Sequence, residues 1–152
     1  MGRSEPAYVA EGLPVRVRVR VEIPRWSFVK RGEGGVEFLS PVPCPFNYGS
    51  VVGTRAADGD ALDALILGPR LPLGAVIDVL VHGVVRFEDD GVQDDKLVCG
   101  AARPSAGERA LVVGFFRAYA PAREALNRLR GRRGLTRSAG YQARVDAGPA
   151  AC

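Results

Sequence analysis

Between Val15 and Ile23 the chain reads V-R-V-R-V-R-V-E-I, nine residues in strict apolar–polar alternation. A β-strand sorts that pattern into one apolar and one polar side, because successive side chains point to opposite faces. A helix would scatter the valines around its circumference. The strand puts Val15, Val17, Val19 and Val21 on a core, with Arg16, Arg18, Arg20 and Glu22 opposite. The arginines read as a solvated face that discourages edge pairing. Glu22 differs: it closes the strand ahead of Pro24, at a rim where functional groups tend to sit.

The remaining pattern extends a mainly β chain. Arg25 to Lys30 and Val36 to Leu39 predict a short hairpin around R-G-E-G-G, and Pro41, Pro43 and Pro45 then lead an extended segment into Asn47 and Tyr48. A-L-I-L after Asp63 predicts a buried strand, and a second apolar run covers Val76 to Val85 after the turn at Gly74. His82, the only histidine, interrupts that run and reads as a hydrogen-bonded structural residue. Ser105 and Glu108 form a capping-box signature for a helix over Ala106 to Tyr119, with Leu111, Val112, Phe115, Phe116 and Tyr119 on one stripe. A second helix is expected from Pro121 to about Arg130, packing Ala125, Leu126 and Leu129. At 152 residues this predicts one domain, residues 1–152, with about 1–13 and 131–152 flexible.

Chemistry concentrates in two acidic stretches. From Asn47 to Asp63 the chain reads N-Y-G-S-V-V-G-T-R-A-A-D-G-D-A-L-D, placing Asp58, Asp60 and Asp63 within six residues. Carboxylates so crowded repel unless a cation neutralises them, and hard ions such as Mg²⁺ prefer such oxygens. An EF-hand fails on spacing, since the position needing glutamate is Pro69. An acidic surface turn is the plain alternative. The second stretch, R-F-E-D-D-G-V-Q-D-D over Arg86 to Asp95, turns at Asp90-Gly91. It reads either as a solvated hairpin tip or as two arms bringing Asp89 and Asp94 to a shared ion.

Composition sharpens this. The charge of +4 and pI near 9.3 raise the question of nucleic acid, but eight of nine aspartates lie between Asp58 and Asp95 while arginines dominate the ends. That distribution suits a metal site facing an anionic ligand better than a phosphate-tracking surface. Only two lysines, Lys30 and Lys96, stand beside 19 arginines, which suggests positions where a compact ammonium is needed. No apolar run approaches membrane-spanning length and no signal-peptide profile opens the chain. Cys44, Cys99 and Cys152 lack metal-type spacing and read as free thiols, so the expected compartment is the cytoplasm.

In order along the chain stand E-I-P at Glu22–Pro24, Lys30, N-Y-G at Asn47–Gly49 and D-G-D-x-x-D at Asp58–Asp63. G-V follows at Gly83–Val84, then D-x-x-x-x-D-x-K at Asp89–Lys96 and F-F-x-x-Y at Phe115–Tyr119. Together they resemble the family I soluble inorganic pyrophosphatases over about Val19 to Tyr119. The resemblance implies an α+β, mainly β fold: a distorted five-stranded OB-like β-barrel flanked by helices, with the site at its mouth. It implies Mg²⁺-dependent hydrolysis of inorganic pyrophosphate by a metal-bridged water, in a cytoplasmic homo-oligomer that is commonly a hexamer in bacteria. It also implies roles: Asp58, Asp63 and Asp94 hold activating ions, Asp89 with Asp94 holds ions arriving with substrate, and Asp60 assists the nucleophilic water. Lys30, Lys96, Tyr48 and Tyr119 would contact phosphate, and Glu22 would sit in the polar shell around the reaction.

The chain departs from the family pattern at four points. Gly32 stands where a glutamate is usual, with Glu33 displaced by one; Glu37 aligns with a phosphate-gripping arginine; Cys44 replaces an aromatic; Ala120 replaces a lysine. The metal cradle is complete while the phosphate grip is altered. Arg25, Arg31, Arg86 and Arg123 are candidates to compensate. Two other readings follow from the same residues: a hydrolase of an organic diphosphate, or a non-catalytic binding protein on the same scaffold. A panel of diphosphates separates the first, and Asp60→Asn the second.

Overall fold

The computed structural model describes residues 16–27, 29–32, 35–39, 43–54 and 61–143, with backbone alone for 29–32 and 35–39. The alternating run forms β1 (Arg16–Ile23), with Val19, Val21 and Ile23 buried and Arg16, Arg18 and Arg20 exposed. The hairpin is β2 (Val29–Gly32) and β3 (Gly35–Leu39). It begins at Val29 rather than Arg25, because the chain turns at Arg25–Trp26, where Trp26 takes φ 72°. Next come β4 (Asn47–Val51), β5 (Asp63–Ile66), β6 (Val76–Asp89), β7 (Val92–Gln93) and β8 (Lys96–Gly100).

Five of these strands close into a ring. β1 pairs antiparallel with both β4 and β6, β4 with β5, and β8 with β6, while β5 and β8 run parallel. One face of all five lines the inside: Val19, Val21, Val51, Ala64, Ile66, Val79, Val81, Val84, Leu97 and Cys99 form a buried cluster. The opposite face of β5, β6 and β8 contributes Leu65, Val85, Phe87 and Val98 to a second cluster with Val112, Phe116 and Ala120. Both faces of these strands are therefore dry, which is why A-L-I-L and L-V-C read as unbroken apolar runs.

Ser105 caps the helix through a complete capping box: its side chain accepts from the Glu108 N–H, and the Glu108 carboxylate accepts from its N–H. The two expected helices are one, α1 (Ala106–Leu129), running through Pro121. Proline removes the bond to the carbonyl four residues back, but Pro121 and Arg117 lie on the exposed face, where water can pair that carbonyl. Val112 and Phe116 are buried as the stripe requires, whereas Leu111 is exposed. In the second half Leu129 is 84% exposed, and the buried residue is Asn127.

The expected flexible tail also needs correction. Residues 137–143 form β9 (Arg137–Ala143), antiparallel to β6 from Gly83↔Ala143 to Glu88↔Arg137. β6 is long enough to offer this second edge, and Gly83 makes room for it, since a Cβ there would collide with the Tyr141 side chain. Residues 1–13 and 144–152, also expected to be flexible, lie outside the described residues. His82 is structural, its Nε2 3.0 Å from the Gly100 carbonyl oxygen. Cys44 and Cys99 are buried free thiols, and burial pushes each up to about 12.

Asn47 ties the ring to its loops. Its Oδ1 accepts from the Arg25 N–H (3.0 Å) and the Leu71 N–H (2.8 Å). Its Nδ2 donates to the Ile66 (3.3 Å) and Pro69 (2.8 Å) carbonyls. Gly49, two residues on, packs so tightly that a Cβ would overlap the Arg20 carbonyl oxygen. Asn47→Ala would strand several buried peptide groups, and urea unfolding should show a loss of about 3 kcal/mol. A loss under about 1 kcal/mol would mean that water replaces the amide.

Candidate functional site

Parity decides which side of the sheet becomes polar. β5 and β8 begin together, with Asp63 directly beside Lys96 in the parallel register. Counting by two, Asp63 and Leu65 share a face, as do Lys96 and Val98, and this face looks toward α1. On the neighbouring strands Tyr48 and Phe87 flank the same spot, the Lys96 ammonium lying 5.8 Å from the Tyr48 ring centroid and 5.4 Å from that of Phe87. The hairpin between β6 and β7 turns through Asp90 (φ 50°) and Gly91 (φ 77°), as the D-G pair requires. It returns Asp94 to the ring, its N–H donating to the Phe87 carbonyl at 2.9 Å.

The result is a buried ammonium held by two carboxylates. Lys96 Nζ lies 2.7 Å from Asp63 Oδ2 and 2.6 Å from Asp94 Oδ2, with the lysine side chain 4% exposed. The two acids, one from each acidic stretch, meet on a single cation. Their proton affinities part. Burial opposes ionisation of Asp63, but the Lys96 charge and hydrogen bonds from Lys96 and Tyr48 outweigh it, and its pKa falls below the ordinary value. Asp94 is pushed up to about 7 by burial and by the charge of Asp63, despite Lys96. Lys96 itself is held charged: burial works against the ammonium, and Asp63, Tyr48 and Asp94 overcome it. Burial, then Asp63, raises Tyr48 well above its usual range, so its hydroxyl is a donor.

Tyr119 completes the enclosure. It stacks on Phe115 (5.7 Å, 18°) and sits 5.8 Å from Phe87. Burial pushes its hydroxyl up to about 12, in a field set by Lys96, Arg123, Asp89 and Asp94. Asp89 is engaged elsewhere. Its Oδ1 accepts from Asn127 Nδ2 (2.8 Å) and Thr136 Oγ1 (3.2 Å), and its Oδ2 lies 3.4 Å from Arg123 Nε. The sequence reading missed Asn127 and Thr136, both buried; a buried polar residue inside a helical stripe is the signal that points to the first.

Glu22 lies at the β-bulge where the β1–β4 register slips between Val21 and Ile23, next to Tyr48. Asp58 and Asp60 lie outside the described residues, as does the Lys30 side chain. Of the candidate compensating arginines, Arg86 pairs with Asp95 (3.2 Å). Arg25 donates to the Gly68 carbonyl (3.1 Å) and lies over the Trp26 ring (5.0 Å). Arg31 has no described side chain; the Arg123 charge acts on the Tyr119 hydroxyl.

Among the described residues no three His, Cys, Asp or Glu side chains converge as a metal site. Asp63 and Asp94 nevertheless fit a hard cation: two oxygen donors already share one positive charge, and one of them resists ionisation without more. No described helix is long and apolar enough to cross a membrane.

The family model described as inorganic pyrophosphatase matches residues 19–110. The chain is 40% identical over 96 residues to the inorganic pyrophosphatase of Gluconobacter oxydans, covering 57% of this chain and 56% of that protein. Against the Haemophilus influenzae inorganic pyrophosphatase it is 47% identical over 57 residues, covering 36% and 32%. The matches thus span about half or less of these curated relatives. Among solved structures, the inorganic pyrophosphatase of Thermus thermophilus superposes with a TM-score of 0.69 at 27% identity, covering 86% of this chain and 84% of that one.

Proposed function

Because the chain belongs to the inorganic pyrophosphatase family, we propose that it hydrolyses inorganic pyrophosphate to two phosphates with Mg²⁺ as its metal. The observation that supports this reading is the meeting of Asp63 and Asp94 on Lys96 beneath Tyr48 and Tyr119. Bound Mg²⁺ supplies charge neutralisation and a water made acidic enough to attack at neutral pH.

The residues divide this work. Asp63 and Asp94 would hold the cation, with Asp58 completing the set, and Asp60 would assist the attacking water. With those carboxylates engaged by a metal, the Lys96 ammonium that now pairs with them would be free to meet phosphate oxygens. Tyr48 and Tyr119 keep their protons at any physiological pH and act as donors to the same oxygens. Lys30 supplies a further ammonium, and Glu22 orients the polar shell at the bulge. We also infer a cytoplasmic homo-oligomer, which a monomer in sedimentation at micromolar concentration would rule out.

Phosphate release under a Mg²⁺ titration tests the activity. Saturable release from pyrophosphate is expected. No release at any Mg²⁺ concentration, with turnover of a nucleoside or prenyl diphosphate, would favour the organic-diphosphate reading.

The proton on Asp94 gives a second test. A cation must displace it, and Asp94 is pushed up to about 7. Mg²⁺ affinity should therefore fall up to about tenfold per pH unit below 7 and level off above it. Calorimetry between pH 5.5 and 8.5 measures this, and a flat profile would remove Asp94 from the metal set.

A further inference from the structure

We propose that Arg123 is a substrate-oxyanion contact of this site and that Asp89 is the carboxylate that aims it, rather than a ligand of a metal ion. The proposal rests on the reading that the Lys96 site takes a diphosphate.

Arg123 follows Tyr119 by four residues on α1, so both leave the same face of the helix. Its side chain is 13% exposed and therefore built into the wall of the site rather than waving from the surface. The Tyr119 hydroxyl lies in the fields of both Lys96 and Arg123. Two cations thus border one buried donor, which is what a doubly anionic group with several terminal oxygens needs.

The surroundings of Asp89 do not suit a divalent ion. Asn127 and Thr136 both donate to Oδ1, and the Arg123 guanidinium stands against Oδ2. A cation there would have to displace neutral donors from a carboxylate and sit against a fixed positive charge in a partly dry setting. Asn127 is fully buried and Thr136 nearly so, which holds the carboxylate in place. The hairpin is fixed from the same side, with Asp90 Oδ1 accepting from the Gly134 N–H (2.7 Å) and the Leu135 carbonyl from the Gly91 N–H (2.9 Å). Asp89 in turn stands on the Nε side of the guanidinium, its Oδ2 3.4 Å away, and so fixes the plane of a group that carries five N–H donors. Its planar fork matches phosphate oxygens in a way an ammonium does not.

Calorimetry with imidodiphosphate, a non-hydrolysable analogue, reads binding without turnover. In the presence of Mg²⁺, Arg123→Met should weaken binding about 10- to 100-fold, Arg123→Lys should recover part of it, and Asp89→Asn should weaken it several-fold. Counting bound Mn²⁺ by electron paramagnetic resonance, with the analogue present, should give the same number for Asp89→Asn as for wild type. Arg123→Met binding within twofold of wild type, or Asp89→Asn losing an ion, would overturn the proposal. If Arg123→Met does not fold, Arg123→Lys and Asp89→Asn decide it. A wild type that binds the analogue yet releases no phosphate from pyrophosphate would defeat the hydrolase reading alone; one that binds none would defeat both.

Discussion

Lys96→Met is expected to destabilise the metal-free protein by about 3–5 kcal/mol, with Mg²⁺ restoring much of the loss. The ammonium is the shared partner of Asp63 and Asp94, and removing it leaves two buried carboxylates facing each other. They will bind protons rather than both stay charged, so their folded pKa values should lie above the unfolded value near 4. An acid raised in this way favours the fold while protonated and penalises it once ionised. The deficit should accordingly grow as pH rises from about 4 toward 8, and be small at the acid end. Urea unfolding at pH 5 and pH 8, with EDTA or with Mg²⁺, measures both effects. If Mg²⁺ stabilises Lys96→Met no more than wild type, the ammonium and the ion do not share the same carboxylates.

Asp63→Asn should lower the rate of phosphate release by a factor on the order of 10²–10³ while the fold survives. Of the two acids on Lys96, Asp63 is the one kept ionised, so it carries the charge that a cation would meet first. Asparagine keeps the shape and an oxygen but not the charge. Without the neighbouring Asp63 charge, Asp94 should ionise more readily and keep Lys96 paired. The stability cost should be correspondingly smaller than for Lys96→Met. Turnover within tenfold of wild type at saturating Mg²⁺ would place the catalytic centre elsewhere. A collapse of the fold would mean that the Asp63–Lys96 pair is first of all structural.

The elements with strong periodicity were legible, and those decided by long-range packing were not. β1 could be read from V-R-V-R-V-R-V-E-I, the helix start from Ser105 and Glu108, and the hairpin turn from Asp90-Gly91. The break expected at Pro121 failed because a proline costs little where its orphaned carbonyl faces water, a fact the sequence does not carry. The Gly- and Arg-rich segment after Gly131 has no apolar stripe of its own. It becomes β9 because β6 presents an open edge, and its backbone bonds depend on a partner some fifty residues away in sequence. The site divides in the same way. The family resemblance pointed to Asp63, Asp94, Lys96, Tyr48 and Tyr119, and the fold brings these together. It gave no hint that Asp89 would be taken up by Asn127, Thr136 and Arg123, which come from the far end of the helix and the segment after it.

By itself the sequence determined the mainly β character, the capped helix and the residue types available for chemistry. Those are local properties: periodicity, turn geometry and residue type act within a few positions. Only the tertiary structure decided which carboxylates share a cation and which do not. The parallel register of β5 beside β8 sets Asp63 against Lys96, and the end of the helix with Thr136 just before β9 holds Asp89 beside Arg123. An ion pair forms between groups a few ångströms apart in space, and only the closed ring of strands sets that distance.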